Sequence, residues 1–162
     1  MRSALCLKKL LLTSGAKPDG YTDGTFIYHD NEVEMSFTHM RIARPVTDLD
    51  TSFRLWSQGL GLTRLADFTD HAGFSGIMLG RRDVPWHLEF TVCLAHPVTP
   101  SPGHEDLLVL YYPDNAEWQR VCRSLEEVGF IRTPSFNPYW DINGQTWMDH
   151  DGYRVVVQNQ AW

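Results

Sequence analysis

The sequence predicts an α+β fold in which two paired βαβββ modules form a curved, cupped mixed sheet with the helices outside. Two observations carry this. First, the 162-residue chain echoes itself at a 68-residue spacing. His39-Met40-Arg41-Ile42-Ala43-Arg44-Pro45 answers to Leu107-Leu108-Val109-Leu110-Tyr111-Tyr112-Pro113, and Gly61-Leu62 to Gly129-Phe130. Second, each copy reads as a short strand, an acidic helix start, an amphipathic helix and three further strand-like runs. One such unit leaves an apolar sheet face uncovered, and two side by side can bury it.

In the first copy, Thr38 to Arg44 reads as a strand. Asp48 to about Gln58 reads as a helix with Thr47 as N-cap and Asp50 at its third position, a variant of the capping box. Leu49, Phe53 and Trp56 fall on one helical face, and Gly59 and Gly61 are expected to stop the helix. Leu62–Phe68, Phe74–Leu79 and Trp86–Leu94 are the following strands. His96 to Glu105, with Pro97, Pro100, Pro102 and Gly103, is the internal linker. The second copy gives a strand at Leu107–Tyr112 and a helix at Asn115–Val128, capped by Asp114 or Asn115. Further strands follow near Ile131–Thr133, Gln145–Asp149 and Tyr153–Gln158. Phe136-Asn137-Pro138-Tyr139-Trp140 is irregular and aromatic, and is placed at the cavity mouth. Residues 1–35 read as an N-terminal extension, and 36–160 as the domain, with modules at about 36–95 and 105–160.

Composition narrows the partners. A hydrophobic content of 43% suits a packed domain. The net charge of −6 argues against nucleic acid or an anionic membrane as a partner. No stretch reaches the ~20 apolar residues of a membrane span. Cys6, Cys93 and Cys122 are odd in number and form no C-x-x-C pair, which points to reduced thiols and a cytoplasmic setting.

Residues 36–160 resemble the vicinal oxygen chelate superfamily, which includes glyoxalase I, bleomycin- and fosfomycin-resistance proteins and extradiol ring-cleaving dioxygenases. The residues that carry the resemblance are Thr38-His39-Met40-Arg41, Trp86-His87-Leu88-Glu89-Phe90, and Asp149-His150-Asp151-Gly152-Tyr153-Arg154-Val155 before the closing strand. The resemblance implies a divalent metal on the inner sheet faces, with ligands from the first and last strands of each module. Carried over, it gives His39 and Glu89 from the first module. The 68-residue echo puts Leu107 at the place of His39, and matching Arg154-Val155-Val156-Val157 to His87-Leu88-Glu89-Phe90 puts Val156 at that of Glu89. Leucine and valine do not ligate cations. The expectation is half a metal site, holding either no cofactor or a weakly bound divalent metal.

Strand parity places His39, Arg41 and Ala43 on one face, and His87, Glu89 and Thr91 on one face. In the second copy Leu107, Val109 and Tyr111 line the cavity with Arg154, Val156 and Gln158. The expected ligand-binding residues are Arg41, His87, Glu89, Tyr111, Tyr139, Trp140, Arg154 and Gln158, with His39 and Glu89 as metal ligands. His87 is a further candidate donor. Beside this stands a structural reading in which His39 or Arg41 pairs Glu89, since a buried carboxylate needs a partner. Trp86 and Trp147 read as core, Cys93 as a buried inert thiol, and His71, His96, His104 and His150 as surface residues in turns.

The function expected from this is small-molecule binding with an incomplete metal site, in the manner of bleomycin-resistance proteins, in an aromatic-lined cavity of a homodimer. Glu89 would pair a basic ligand group, and Arg41 or Arg154 an acidic one. The alternative is a divalent-metal-dependent lyase or dioxygenase of glyoxalase type. A third reading is a partner domain with a collapsed cavity.

Overall fold

The computed structural model describes residues 37–162, and the expectations for residues 1–35 and for Cys6 lie outside them. Eight strands and two α-helices run in the order β1 (Met40–Pro45), α1 (Leu49–Leu60), β2 (Thr63–His71), β3 (Phe74–Gly80), β4 (Trp86–Cys93), β5 (Leu107–Tyr111), α2 (Asn115–Val128), β6 (Ile131–Thr133), β7 (Gly144–Met148) and β8 (Arg154–Gln158), with a 3₁₀ turn at Pro138–Asp141. The first sheet has the order β1-β4-β3-β2 and the second β5-β8-β7-β6. β1 runs parallel to β4 and β5 parallel to β8, and all other pairs are antiparallel. The paired βαβββ modules are as expected. They contribute two four-stranded sheets, with no ladder joining β1 to β5 among the described residues.

Both helices lay an apolar stripe on one core. Leu55, Trp56 and Leu60 of α1 meet Leu125 and Cys122 of α2, together with Ile77, Leu79, Leu88, Phe90, Val155 and Val157 from the sheets. Leu108 and Leu110 pack against the same core. Alternation then puts Leu107, Val109, Tyr111 and Val156, and in the first module Arg41, His87 and Glu89, on the faces turned away from the helices.

Three local expectations are corrected. The N-cap of α1 is Asp48, whose carboxylate accepts from Thr51 N–H at 2.6 Å, and Thr47 lies one residue outside. Gly59 does not stop α1, which continues to Leu60 before Gly61 turns left-handed at φ 67°. Gly59 serves helix packing instead: a Cβ there would lie 2.9 Å from Leu125 Cδ2. β2 runs to His71 through two register shifts.

The strand ladders also revise the internal equivalences. Ala43 pairs with Glu89, and Val109 with Val156. β1 closes with Val46 N–H donating to Thr91 O, and β5 with Tyr112 N–H donating to Gln158 O. The helices follow N-caps Asp48 and Asp114. These align Leu107 with Arg41, not with His39, whose counterpart becomes Glu105 in the linker. The echo drifts because α2 has 14 residues and α1 has 12, so matching the glycines after the helices misplaces the strands before them. A slip of two residues preserves the face, so the inward set of the second module is unchanged.

Candidate functional site

The polar cluster on the inner face of the first module comes from adjacent strands. Arg41 of β1 sits beside His87 of β4, with Glu89 one strand period further along. Arg41 Nε–H donates to His87 Nε2 at 3.0 Å, and Arg41 Nη1 reaches Glu89 Oε2 at 3.2 Å. His39, just before β1, contacts His87 Nδ1 through its Nε2 at 2.6 Å, with the two rings tilted 40° to one another. His87 and Glu89 are 8% and 7% exposed, whereas the Arg41 side chain is half exposed. Burial first, then the neighbouring Arg41 and His39, hold the His87 imidazole below its ordinary pKa, with Glu89 opposing.

The fit to a divalent metal can be tested on this donor set. His39 meets His87, and Glu89 meets the Arg41 guanidinium, so a fixed positive charge already lies among the donors. The second-module positions aligned with His39, His87 and Glu89 are Glu105, Arg154 and Val156: an exposed linker carboxylate outside the strand, a cation and a hydrocarbon. No group of three His, Cys, Asp or Glu side chains arranged to hold a metal occurs among the described residues. This donor set does not fit a tightly held cation.

The inner face of the second module is covered by its own chain. Gln158 Nε2–H donates to Trp140 O at 3.2 Å, and Ser135 bonds both Asp141 and Thr146. Thr146, Val156 and Gln158 are consequently buried. Asn137 caps the 3₁₀ turn by accepting from Tyr139 N–H at 3.0 Å, with Pro138 at its first position. The turn presents Tyr139 against Trp140 at a ring distance of 5.0 Å. The Tyr111 ring meets the Trp162 ring at 5.4 Å, the two tilted by 56°. The sequence reading missed Trp162, whose signal is only its position close behind the last strand.

The expected ligand residues thus do not line one enclosed cavity. Arg41, His87 and Glu89 form one bonded cluster. Tyr139, Trp140 and Tyr111 form an aromatic rim, with Gln158 sealed beneath Trp140. Arg154 is tied to the linker through Gly103 O at 3.0 Å. Trp147 is in the core, as expected, and Trp86 is partly buried against it. Cys93 and Cys122 are buried and free, and burial pushes the Cys122 thiol up to about 11.

The Asp149–Tyr153 turn is a latch between modules. Asp151 accepts from Thr47 N–H at 3.0 Å and Thr47 Oγ1–H at 2.6 Å. Tyr153 O–H donates to Pro45 O at 2.8 Å, and Trp56 Nε1–H to Asp149 Oδ2 at 2.8 Å. Burial raises the Asp149 pKa, while its three donors oppose the shift. Arg44 lies over the Tyr153 ring at 4.6 Å and the Trp56 ring at 5.5 Å. At the other end of the seam the aligned residues are Val84, Trp86 and Pro113, which cannot repeat these bonds. There a groove of about 590 Å³ opens between Val84, Trp86, Tyr111, Tyr112 and Arg120. A second groove, of about 620 Å³, lies between Ala43–Pro45 and Glu105–Leu108. Of the expected ligand residues only Tyr111 lines either groove.

Two sheets with this strand order and these paired modules give the chain the fold of the vicinal oxygen chelate superfamily. At the level of fold it is similar to trypanothione-dependent glyoxalase I of Leishmania major (TM-score 0.58, 15% identity, 74% of this chain and 84% of that one). It is likewise similar to an antibiotic-binding protein from Streptomyces sp. CB03234 (TM-score 0.54, 19% identity, 76% and 97%). The YycE-like N-terminal domain matches residues 40–91, and the YycE-like C-terminal domain residues 105–159. The chain is 38% identical over 120 residues to the uncharacterized protein YycE of Bacillus subtilis (strain 168), covering 74% of this chain and 86% of that protein. The crystal structure of a Bacillus subtilis YycE protein of unknown function aligns with a TM-score of 0.72 at 37% identity, over 77% and 91% of the two chains. The chain belongs to the YycE-like family.

Proposed function

We propose that the chain binds a small organic molecule on the inner faces of its modules without help from a metal. The ligand lies between the His39–Arg41 edge of the polar cluster and the aromatic rim of Tyr111, Tyr139 and Trp140. The single observation that carries this is the Arg41 guanidinium bonded to both His87 and Glu89, where a metal would need free donors. Binding energy then comes from stacking and apolar burial on the rim, with the polar cluster fixing orientation. The antibiotic-binding protein of the same fold supports the reading by analogy of architecture. A homodimer in a cytoplasmic setting belongs to the same proposal. Light scattering at twice 18.6 kDa supports the dimer, and a monomer mass counts against it.

The test is a thermal-shift screen of the full chain with antibiotics and aromatic metabolites, run with and without EDTA. A ligand that binds the native state must raise the midpoint. The reading expects such a hit and no effect of EDTA. Against it would stand a midpoint that falls on chelation, with one equivalent of divalent metal lost in His39→Ala. That result transfers the site to the lyase or dioxygenase reading.

A further inference from the structure

We propose that the exposed Arg41–His39 edge binds the oxyanion of a carboxylate or phosphonate ligand, with the guanidinium taking the electrostatic role of a divalent cation. The inference rests on the ligand-binding reading above and adds the sign of the ligand's charge.

The hydrogen-bond pattern fixes what the cluster offers. A guanidinium only donates, so His87 Nε2 must accept from Arg41. A neutral His87 then carries its proton on Nδ1 and donates it to His39 Nε2 across 2.6 Å. His39 in turn carries its proton on Nδ1. This assignment follows from the hydrogen-bond network. What remains outside the chain of bonds is the Nδ1–H of His39 and three of the five N–H groups of Arg41. All are donors. Glu89 is the group that would repel an anion, but it is 7% exposed and already engages Arg41.

A half-exposed planar cation over a buried carboxylate therefore presents a donor-only edge. Such an edge matches the two oxygens of a carboxylate, or those of a phosphonate, with charge-assisted bonds. A basic ligand group would meet the guanidinium first and be repelled. Of the two ligand charges the sequence left open, the geometry takes the acidic one, and it removes Glu89 from direct contact. The aromatic rim adds a preference for a flat body attached to the anionic group.

The experiment is a calorimetric titration of the full chain at low salt with phenylphosphonate, benzoate and neutral benzyl alcohol. The two anions should bind saturably and roughly tenfold or more tighter than benzyl alcohol. The ratio between them decides which oxyanion the edge prefers. Arg41→Met alone would strand a buried carboxylate and endanger folding. The comparison variant is therefore Arg41→Met/Glu89→Gln, which removes both charges. It should lose roughly tenfold or more in anion affinity, and with it the preference for the anions over benzyl alcohol. Anions that bind no better than benzyl alcohol, or that bind the double variant as tightly as the natural chain, overturn the inference. If ligands from the thermal-shift screen still bind in that case, only the charge assignment falls. If nothing in either set binds, the ligand-binding reading falls with it.

Discussion

His87 holds the polar cluster together, because it accepts from Arg41 on one side and contacts His39 on the other. Its environment predicts a pH dependence. In the unfolded chain the imidazole takes up a proton as pH falls through its ordinary value of 6.5, whereas in the folded chain it does so only at lower pH. Within that window the unfolded chain holds more protons. The stability contributed by His87 is therefore complete above pH 6.5 and is lost as pH falls below it toward the depressed value. Urea midpoints measured across this range should fall with pH, and more steeply for the natural chain than for His87→Gln. Equal slopes would show that His87 is not the group responsible. Much at this scale was legible in the sequence, because strand parity depends only on a period of two. Parity brought Arg41, His87 and Glu89 to one face. It could not decide whether His39 or Arg41 meets Glu89, since that depends on the register between β1 and β4. Arg44 went unread altogether: its alternation points it toward the core, where the Trp56 and Tyr153 rings make a half-buried cation tolerable.

Gly59 within α1 and Gly61 just after it act through opposite mechanisms. Gly61 has open space around it but a φ of 67°, so Gly61→Ala should cost about 1 kcal/mol through backbone conformation alone. Gly59 has ordinary helical geometry but faces Leu125, Val128 and Phe130. Gly59→Val should cost about 2 kcal/mol by overpacking the α1–α2 contact. Chemical denaturation of both variants checks the pair, and a neutral Gly59→Val would mean that the helices are not closely packed there. The sequence showed both glycines as punctuation, since a close helix approach leaves no local signal. The Pro138–Asp141 turn was half legible. Asn137 before Pro138 marks a helix start, but the fold-back of the segment onto Thr146 and Gln158 depends on bonds from Ser135 and Trp140 that no local pattern reveals. That fold-back turns the expected cup into a filled second half with an aromatic rim.

The two modules share one core, yet their seam is asymmetric. Asp149, Asp151 and Tyr153 bond across one end, and the aligned residues at the other end make no such bonds, while grooves open at both ends. The most distinctive motif in the sequence is therefore chiefly structural. Its spacing was visible, but its partners Thr47 and Pro45 lie more than a hundred positions away. Tyr153→Phe should cost about 1 kcal/mol, and Asp151→Ala, which releases two bonds, about 2 kcal/mol. Neither should alter affinity for the aromatic anions. A loss of stability without loss of affinity separates the latch from the site, and lost affinity in either variant would merge them. In the function proposed above, the Arg41 guanidinium rather than a metal organises the inner face of the first module. The most direct measurement is a calorimetric titration of the purified full chain with Ni²⁺ and Mn²⁺, followed by elemental analysis. The account predicts no stoichiometric binding of either ion. One equivalent held tightly and released by His39→Ala would contradict it.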